Sequence, residues 1–334
     1  MRLLVSPAIA GAILMSGCGG NSPPIDEASG TQVTETVTQG SVTTSKRLSG
    51  TLYFTYVAPL EAPRAMALDL KSKKYRVVSS GIRPAVEGQT IAYVDFCSPL
   101  SVRVAVTDSD GFSNPITDCI ERETISEEDY RWPAISPDGK LIAITNFQVE
   151  GEIDEEEDPY GLGRIVGSHL YTATQVYNLE GELQAQFNDM GPATWTRNGS
   201  LLLAGRGGEV GFGIFEANKA MSSTKRIDDG RIRDVVWAMD AHPNKDRLAF
   251  VFNGQLFEMP LSSGKAKRIH QHGHPLAGLS YSTDGKQIAM ISTDNLEEGF
   301  DMPGNGFPIF IYDDGKVHNV MLPFPTAAPL DWTK

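Results

Sequence analysis

The stretch Trp132-Pro-Ala-Ile-Ser-Pro-Asp-Gly-Lys-Leu-Ile-Ala-Ile144 predicts a β-hairpin. Residues 133–136 favour an extended chain, and the Pro-Asp-Gly-Lys of residues 137–140 has the residue types that a tight turn requires. The apolar, β-favouring residues 141–144 supply the second strand. Weaker copies of this hairpin recur along the chain, and a repeat of this kind indicates the architecture more strongly than any single hairpin does.

Each copy joins an extended segment to a turn and a second extended segment. The copies begin at Pro84, Pro192, Val235 and Leu279, and a half-copy, Pro329-Leu-Asp-Trp332, comes last. We take one residue in the first strand of each unit as a marker: Val86, Ile135, Trp195, Trp237, Tyr281 and Trp332. These markers are roughly 40 to 60 residues apart, which is close to the length of a propeller blade.

The later turns of each unit add two further strands, so we expect four antiparallel strands in a unit. The sequence therefore predicts an all-β, six-bladed β-propeller of four-stranded antiparallel blades over residues 50–334. The first unit, residues 50–80, has no first strand of its own, whereas Pro329 to Trp332 form a first strand with no blade after it. Pairing this C-terminal strand with the first blade would close the ring and remove exposed sheet edges.

The pattern Pro-x-hydrophobic-Ser-Pro-Asp-Gly-Lys-x-Ile-Ala at residues 133–143 resembles the TolB-like, or WD40-like PD40, β-propeller repeat. The copy at Pro84 lacks Ser-Pro-Asp, and the copy at Val235 has His242-Pro-Asn-Lys245 in its turn. The resemblance covers residues 50–334 and implies a six-bladed propeller. Propellers of this family include periplasmic scaffolds, partners of peptidoglycan-associated lipoproteins and accessory domains of peptidases, so the resemblance specifies the fold better than the function.

The charge of the chain argues against a nucleic-acid partner. The 334 residues carry a formal net charge of −13, and 40% of them are hydrophobic, as in an ordinary soluble domain. Proteins bind a phosphate backbone through clustered Lys and Arg side chains, and the sequence shows no basic stripe.

The N-terminus has the composition of a targeting segment. Arg2 precedes an apolar stretch, residues 3–15, that is too short to span a bilayer well. Met15-Ser-Gly-Cys18 resembles the lipobox of bacterial lipoproteins, with Met15 where Leu is usual. The resemblance implies a signal peptide over residues 1–17, a lipid on Cys18 and, because Gly19 follows, a place on the periplasmic side of the outer membrane. A plain secretory signal with an incidental cysteine is the alternative.

Residues 18–49 are predicted to connect this lipidated cysteine to the propeller as a flexible tether. They are rich in Ser, Thr, Gly, Gln and Pro and show no apolar periodicity. Valines among the threonines leave open whether residues 31–48 add an edge strand. In an exported chain the remaining pair, Cys97 and Cys119, is expected to form a disulfide.

Two segments could bind a metal. In an extended chain alternate residues share a face, so His270, His272 and His274 could converge on one divalent metal ion. No fourth ligand is near them in sequence, and a polar connection between blades is the alternative. Residues 150–158 hold seven acids but lack the regular spacing and turning glycine of a calcium loop, which favours a solvated charge run over a calcium site.

Long loops between second and third strands, at residues 147–170, 205–212 and 294–308, are expected at one face of the propeller, around the mouth of its channel. Binding sites commonly lie on loops that a rigid scaffold holds in place. The residues predicted to form this binding face are Phe300, Met302, Phe307, Arg206 and Tyr160.

We therefore expect a monomeric, non-catalytic scaffold, without a cofactor, that binds an envelope protein or a peptidoglycan-associated partner and contacts the membrane through its N-terminal lipid only. No Gly-x-Ser-x-Gly elbow is present in the sequence. The alternative is a metal-dependent hydrolase or lyase that acts on a glycan or peptide at the propeller mouth, centred on the histidine run.

Overall fold

The computed structural model describes residues 48–56, 64–98, 101–107, 113–121, 130–154, 164–271, 276–292, 309–320 and 326–333. Regular structure in these residues is almost entirely β-strand, with a short 3₁₀ turn at Gly208–Val210. The described part of the chain contains no helix with the length and apolar character needed to cross a membrane.

The strands form six sheets, one for each blade. Those of the first half of the chain are β1 (Thr51–Tyr56), β2 (Arg64–Asp69), β3 (Lys74–Ser79), β4 (Ile82–Glu87), β5 (Thr90–Ser98), β6 (Ser101–Thr107), β7 (Ser113–Pro115), β8 (Ile120–Glu121), β9 (Tyr130–Ile135), β10 (Leu141–Asp154), β11 (Arg164–Asn178) and β12 (Leu183–Asn188). Those of the second half are β13 (Met190–Trp195), β14 (Leu201–Arg206), β15 (Phe212–Ala217), β16 (Thr224–Arg226), β17 (Val236–Ala241), β18 (Arg247–Phe252), β19 (Gln255–Pro260), β20 (Lys267–His270), β21 (Leu276–Tyr281), β22 (Gln287–Ser292), β23 (Ile309–Asp313), β24 (Lys316–Val320) and β25 (Thr326–Thr333).

Each blade has four antiparallel strands in chain order, and the short β8 adds a fifth to blade two by pairing with β6. Blade one has the order β25-β1-β2-β3, so it combines the last strand of the chain with the first three. The innermost strands contact one another around the ring in the order β25, β4, β9, β13, β17, β21 and back to β25. The predicted six-bladed propeller is therefore confirmed.

Blade one closes the ring, as predicted, by pairing β25 with β1. Leu52 lies opposite Trp332, which is 3% exposed and donates its indole N–H to the carbonyl of Ser49 at 3.1 Å. Gly50 has a φ of 98°, and a Cβ there would collide with the backbone oxygen of Thr333. Only glycine therefore allows the two ends to approach this closely.

The hydrophobic core is divided among the six interfaces between blades. At the interface of blades six and one, for example, Ile291 and Ile311 pack with Leu52, Phe54 and Leu68. Similar clusters lie at each of the other five interfaces. Because each cluster needs side chains from two blades, an isolated blade would leave its apolar surface exposed to water.

The repeated Ser-x-Asp-Gly sequence closes the turn between the first and second strands. Ser136 donates its hydroxyl to Asp138 at 2.7 Å and accepts the backbone N–H of Leu141 at 2.9 Å. Ser282 makes the same bonds to Asp284 and Gln287 at 2.8 and 3.0 Å. These local bonds explain why the hairpin can be recognised in the sequence.

One marker, Trp237, lies in the first strand of its blade as predicted but is out of register with the others. Trp195 and Tyr281 are the last residues of their inner strands, opposite Leu201 and Ile288, but in blade five the last residue is Ala241, opposite Leu248. Trp237 lies four residues earlier and is half-buried. The prediction followed aromatic residues, whereas the small side chain of Ala241 fills the equivalent position.

Strand direction gives the disc two faces. The first face, as we call it, holds the turns between first and second strands and those between third and fourth strands. Loops between second and third strands, and the connections between blades, lie at the opposite, second face. Hydrogen bonds link the first-face turns of blades four, five and six, from Arg197 to the carbonyl of Asn244 and from the Asn244 amide to the carbonyl of Thr283, both at 3.2 Å.

The segment 147–170, predicted as a long loop, is instead largely a continuation of β10 and β11. These strands pair from Leu141 opposite Asn178 to Asp154 opposite Arg164, whereas β9 follows β10 only to Phe147. Residues 148–154 and 164–172 therefore form a two-stranded ribbon, about 23 Å long at roughly 3.3 Å per residue, at the second face. The acids at positions 150, 152 and 154 thus lie on a strand, not in a loop, because backbone pairing with β11 continues through them.

The structure contains the expected disulfide between Cys97 and Cys119, whose Cα atoms are 6.2 Å apart. Cys97 is near the end of β5, and Cys119 immediately precedes β8. Because β8 pairs with β6, the neighbour of β5, it brings Cys119 back toward Cys97.

Candidate functional site

Two carboxylates in the innermost strands link neighbouring blades. Asp240 in β17 accepts the backbone N–H of Tyr281 at 2.8 Å and the hydroxyl of Ser280 at 3.3 Å. Its other oxygen accepts the hydroxyl of Thr194 at 3.4 Å. Asp240 thus connects blade five to blades four and six.

Asp331 in β25 forms a similar link between blades one and two. One of its oxygens accepts the backbone N–H of Val86, and the other accepts the backbone N–H of Trp332 at 2.7 Å. Asp331 and Asp240 occupy the same position in their strands, one residue before the strand meets its turn. The other blades have Ala85, Ala134, Thr194 and Ser280 there.

Burial raises the pKa of both carboxyls, although the hydrogen bonds that they accept oppose the rise. The pKa of Asp240 is raised to about 6 and that of Asp331 to about 7. The negative charge of Asp240 further raises the pKa of Asp331. The inner strands therefore change charge between mildly acidic and neutral pH.

His242 takes the place of the turn-closing serine in blade five. It is 3% exposed, and its Nδ1 accepts the backbone N–H groups of Asn244 and Lys245 at 3.0 and 3.1 Å. Nδ1 is therefore unprotonated, and burial lowers the pKa of the ring. The ring centroid lies 4.9 Å from that of Tyr281, and a Cβ at Gly285 would collide with the imidazole. His242 thus stabilises the turn and the contact with blade six.

The predicted histidine site lies only partly within the described residues. His270 ends β20, where it is half-buried with its ring centroid 5.9 Å from that of Tyr312, and burial lowers its pKa. His272 and His274 lie outside the described residues, as do the acids at positions 155–158. Among the side chains that the structure describes, no three His, Cys, Asp or Glu residues are grouped so that they could hold a metal ion.

Of the residues predicted to form a binding face, Arg206 is described. It is exposed at the end of β14, on the second face, and its backbone N–H donates to the carbonyl of Asp189 at 2.7 Å. Val210, in the short 3₁₀ turn that follows, is 56% exposed. The predicted residues outside the described part of the chain are Cys18, Tyr160, Phe300, Met302 and Phe307.

Sequence reasoning missed Asp240 and Asp331. The available signal was an acid at a repeat position that holds Ala, Thr or Ser in the other blades. For Asp240 this signal was hidden because the marker of its blade, Trp237, lies four residues before the position that the other markers occupy. Asp331 was counted only as part of the closing strand.

No family model matches the chain, and no curated protein matches it by sequence. Among solved structures it is similar to TolB from Acinetobacter baumannii, with a TM-score of 0.60 and 16% identity over 85% of this chain and 67% of that one. An acylaminoacyl peptidase from Pyrococcus horikoshii has a TM-score of 0.48 and 12% identity over 84% of this chain and 45% of that one. An oligogalacturonate lyase from Vibrio parahaemolyticus has a TM-score of 0.46 and 12% identity over 77% of this chain and 70% of that one. The chain therefore has the six-bladed propeller fold of TolB.

Proposed function

We propose that this chain is a non-catalytic binding scaffold of the bacterial envelope, whose second face receives an envelope protein or a peptidoglycan-associated partner. The observation that carries the proposal is the ribbon of residues 148–154 and 164–172. It extends from a closed ring in which the second strands of most other blades have only six residues. A rigid body with one long projection suits binding, because the body holds the projection in place.

The two edges of the ribbon can accept a further strand. Beyond Phe147, β10 pairs with β11 alone, and β12 joins β11 only from Ala173 onward. The outward backbone groups of residues 148–154 and 164–172 thus have no strand partner within the described chain. Such edges bind extended peptide segments by strand addition.

Arg206 and Val210 add side chains to the same face. They belong to the neighbouring blade four, both are exposed, and they follow one another around the loop between β14 and β15. Arginine is enriched at protein interfaces, and the exposed valine adds apolar surface that a partner could bury. We therefore place the partner across blades three and four.

The location is part of the proposal. A lipid on Cys18 would hold the propeller on the periplasmic side of the outer membrane, and the tether of residues 18–49 would leave it free to meet its partner as a monomer. The lipobox-like sequence before Cys18 supports this location. The TolB-like fold is compatible with it.

Cells fed a fatty-acid analogue should label the wild-type chain and fail to label Cys18→Ser, because the cysteine thiol is the attachment point. The double variant Cys97→Ala/Cys119→Ala is the matched control and should keep its label. In-gel detection of the analogue after purification makes the measurement. A labelled Cys18→Ser chain would contradict lipid anchoring at this residue.

Replacing residues 148–171 with Asn-Gly, which favours a tight hairpin turn, should abolish cross-linking of the partner in cells. The melting temperature should stay nearly unchanged, because the ribbon projects beyond the blade that supports it. Captured proteins are identified by mass spectrometry.

The matched control for the ribbon changes the opposite face of the same blade. Leu179→Ser/Glu180→Ala alters two exposed residues in the turn between β11 and β12 and should leave capture intact. If the folded ribbonless chain still captures the same partner, the ribbon is not the binding element.

A further inference from the structure

The first face carries basic side chains that are scattered along the sequence and brought together by the fold. They lie in or beside the turns of blades one, four and five. The exposed ones are Lys71, Lys73, Lys74, Arg197, Lys219, Lys225, Lys245, Arg247, Lys265 and Lys267. Blades four and five are neighbours in the ring, and blade one lies across the channel from blade four.

Most of these cations are available to an external partner. Within the described residues Arg247 forms an ion pair, with Glu258 at 2.8 Å, and the other nine have no ion-pair partner. Blade six differs, because Lys286 lies 3.3 Å from Asp284. The same turns of blades one, four and five hold two exposed acids, Asp69 and Asp246, against ten exposed cations, so their described part is basic on balance.

Acidic residues occur in segments that adjoin the opposite face. The segment that joins β22 to β23 starts and ends at the second face, and its sequence, residues 293–308, has four acids and no basic residue. Three acids, Glu150, Glu152 and Asp154, lie in the described part of the ribbon. A net charge of −13 is thus compatible with a local cluster of cations on one face.

The described part of the chain begins at the first face. Gly50 precedes β1, which runs from the first face to the second, and its carbonyl accepts the backbone N–H of Leu70 at 3.0 Å, beside the turn that holds Lys71, Lys73 and Lys74. An anchor at the N-terminal end would thus join the propeller at the face that carries these cations.

We propose that the first-face turns of blades one, four and five dock on an anionic phospholipid bilayer, which directs the second face away from the membrane. The cations stand at the tips of separate turns on opposite sides of the ring, an arrangement that suits a plane of headgroups better than a single acidic peptide. The contact adds to the lipid expected at Cys18. The inference deepens the proposed function, because it would orient the partner-binding face.

Vesicle binding tests the contact without the lipid. We would use the chain from residue 19, since the ring closes between Leu48 and Thr333 and all six blades are retained. Cosedimentation is measured with vesicles of phosphatidylglycerol and phosphatidylethanolamine, and with vesicles of phosphatidylcholine. Binding is expected to the first only, and to weaken with added salt because the Debye length shortens.

Two triple variants locate the contact, Lys71→Gln/Lys73→Gln/Lys74→Gln and Lys219→Gln/Lys245→Gln/Lys265→Gln. Each should weaken vesicle binding roughly 100-fold, since one basic residue near an anionic membrane contributes about fivefold. The control Arg206→Gln/Arg231→Gln/Arg233→Gln removes the same charge from exposed residues at the second face and should bind as the parent does.

An equal loss in all three variants would overturn the proposal, because net charge rather than one face would then decide binding. Binding to polyglutamate without binding to anionic vesicles would also overturn it in favour of an acidic protein partner. Neither result depends on whether Cys18 is lipidated or on whether the ribbon captures a partner, so the test stands apart from those of the proposed function.

Discussion

Deleting residues 329–334 is expected to destabilise the propeller severely. Cooperative thermal unfolding should be lost, or its melting temperature should be far below that of the full chain. The deletion removes Trp332, which packs in the core between blades six and one. It also removes Asp331 and its link to Val86. Losing a buried tryptophan side chain costs about 3–5 kcal/mol, against a total stability of about 5–15 kcal/mol.

Circular dichroism during heating measures this effect, and two single variants separate its causes. Trp332→Phe keeps most of the packing but loses the hydrogen bond to Ser49, for a cost of about 1 kcal/mol. Trp237→Ala removes a tryptophan that is only half-buried and should cost less than Trp332→Ala. If the truncated chain melts like the full one, β25 does not hold the ring closed.

The number of blades and the closure could be predicted because their signals are local or repeated. Ser136 and Asp138 close their turn with bonds between residues two apart, so the same letters recur wherever the same turn recurs. The closure followed from counting, since one unit lacked a first strand and one first strand lacked a unit. Neither inference required knowledge of contacts between distant residues.

The ribbon could not be predicted from the same signals. Its acidic residues have low β-propensity, so the sequence favoured a solvated loop. In the structure, backbone pairing between β10 and β11 continues past the blade and overrides that preference. Pairing of this kind depends on the partner strand more than on the residues themselves.

The inner carboxylates and the basic first face depend on long-range placement. Asp331 meets Val86, which is 245 residues away, through the closure of the ring. The basic residues occur singly or in small groups in turns, so a search for a basic stripe does not find them. Local patterns thus reveal the blades, whereas the candidate sites arise from how the blades are arranged.

The substitution Asp240→Asn is expected to change stability in a way that depends on pH: it should not stabilise the chain at pH 5 but should stabilise it at pH 8. The pKa of Asp240 is about 6 in the folded chain, against an ordinary value of 3.8. Between about pH 4 and pH 6 the folded state therefore retains a proton that the unfolded state has released. Its stabilising contribution is present at low pH and is lost as the pH rises through the folded pKa.

The amide removes this loss without removing the contacts. Its oxygen can accept the N–H of Tyr281, and the hydroxyls of Thr194 and Ser280 can rotate to meet the amide group. The wild-type chain should be at least as stable as Asp240→Asn at pH 5. At pH 8 the variant should be more stable by roughly 2 kcal/mol, since two pKa units correspond to about 3 kcal/mol before allowance for imperfect amide geometry.

Urea unfolding at the two pH values makes the measurement, and Asp228→Asn is the control of opposite sign. Burial alone would raise the pKa of Asp228, but hydrogen bonds from Arg226 and from the backbone N–H groups of Ile214 and Gly230 outweigh it and lower the pKa. Its stabilising contribution is present above the ordinary pKa and is lost only as the pH falls through the lowered value. Asp228→Asn should therefore be destabilised at both pH 5 and pH 8. An Asp240→Asn chain that is destabilised equally at both values would show that Asp240 stays ionised and that its hydrogen bonds outweigh its burial.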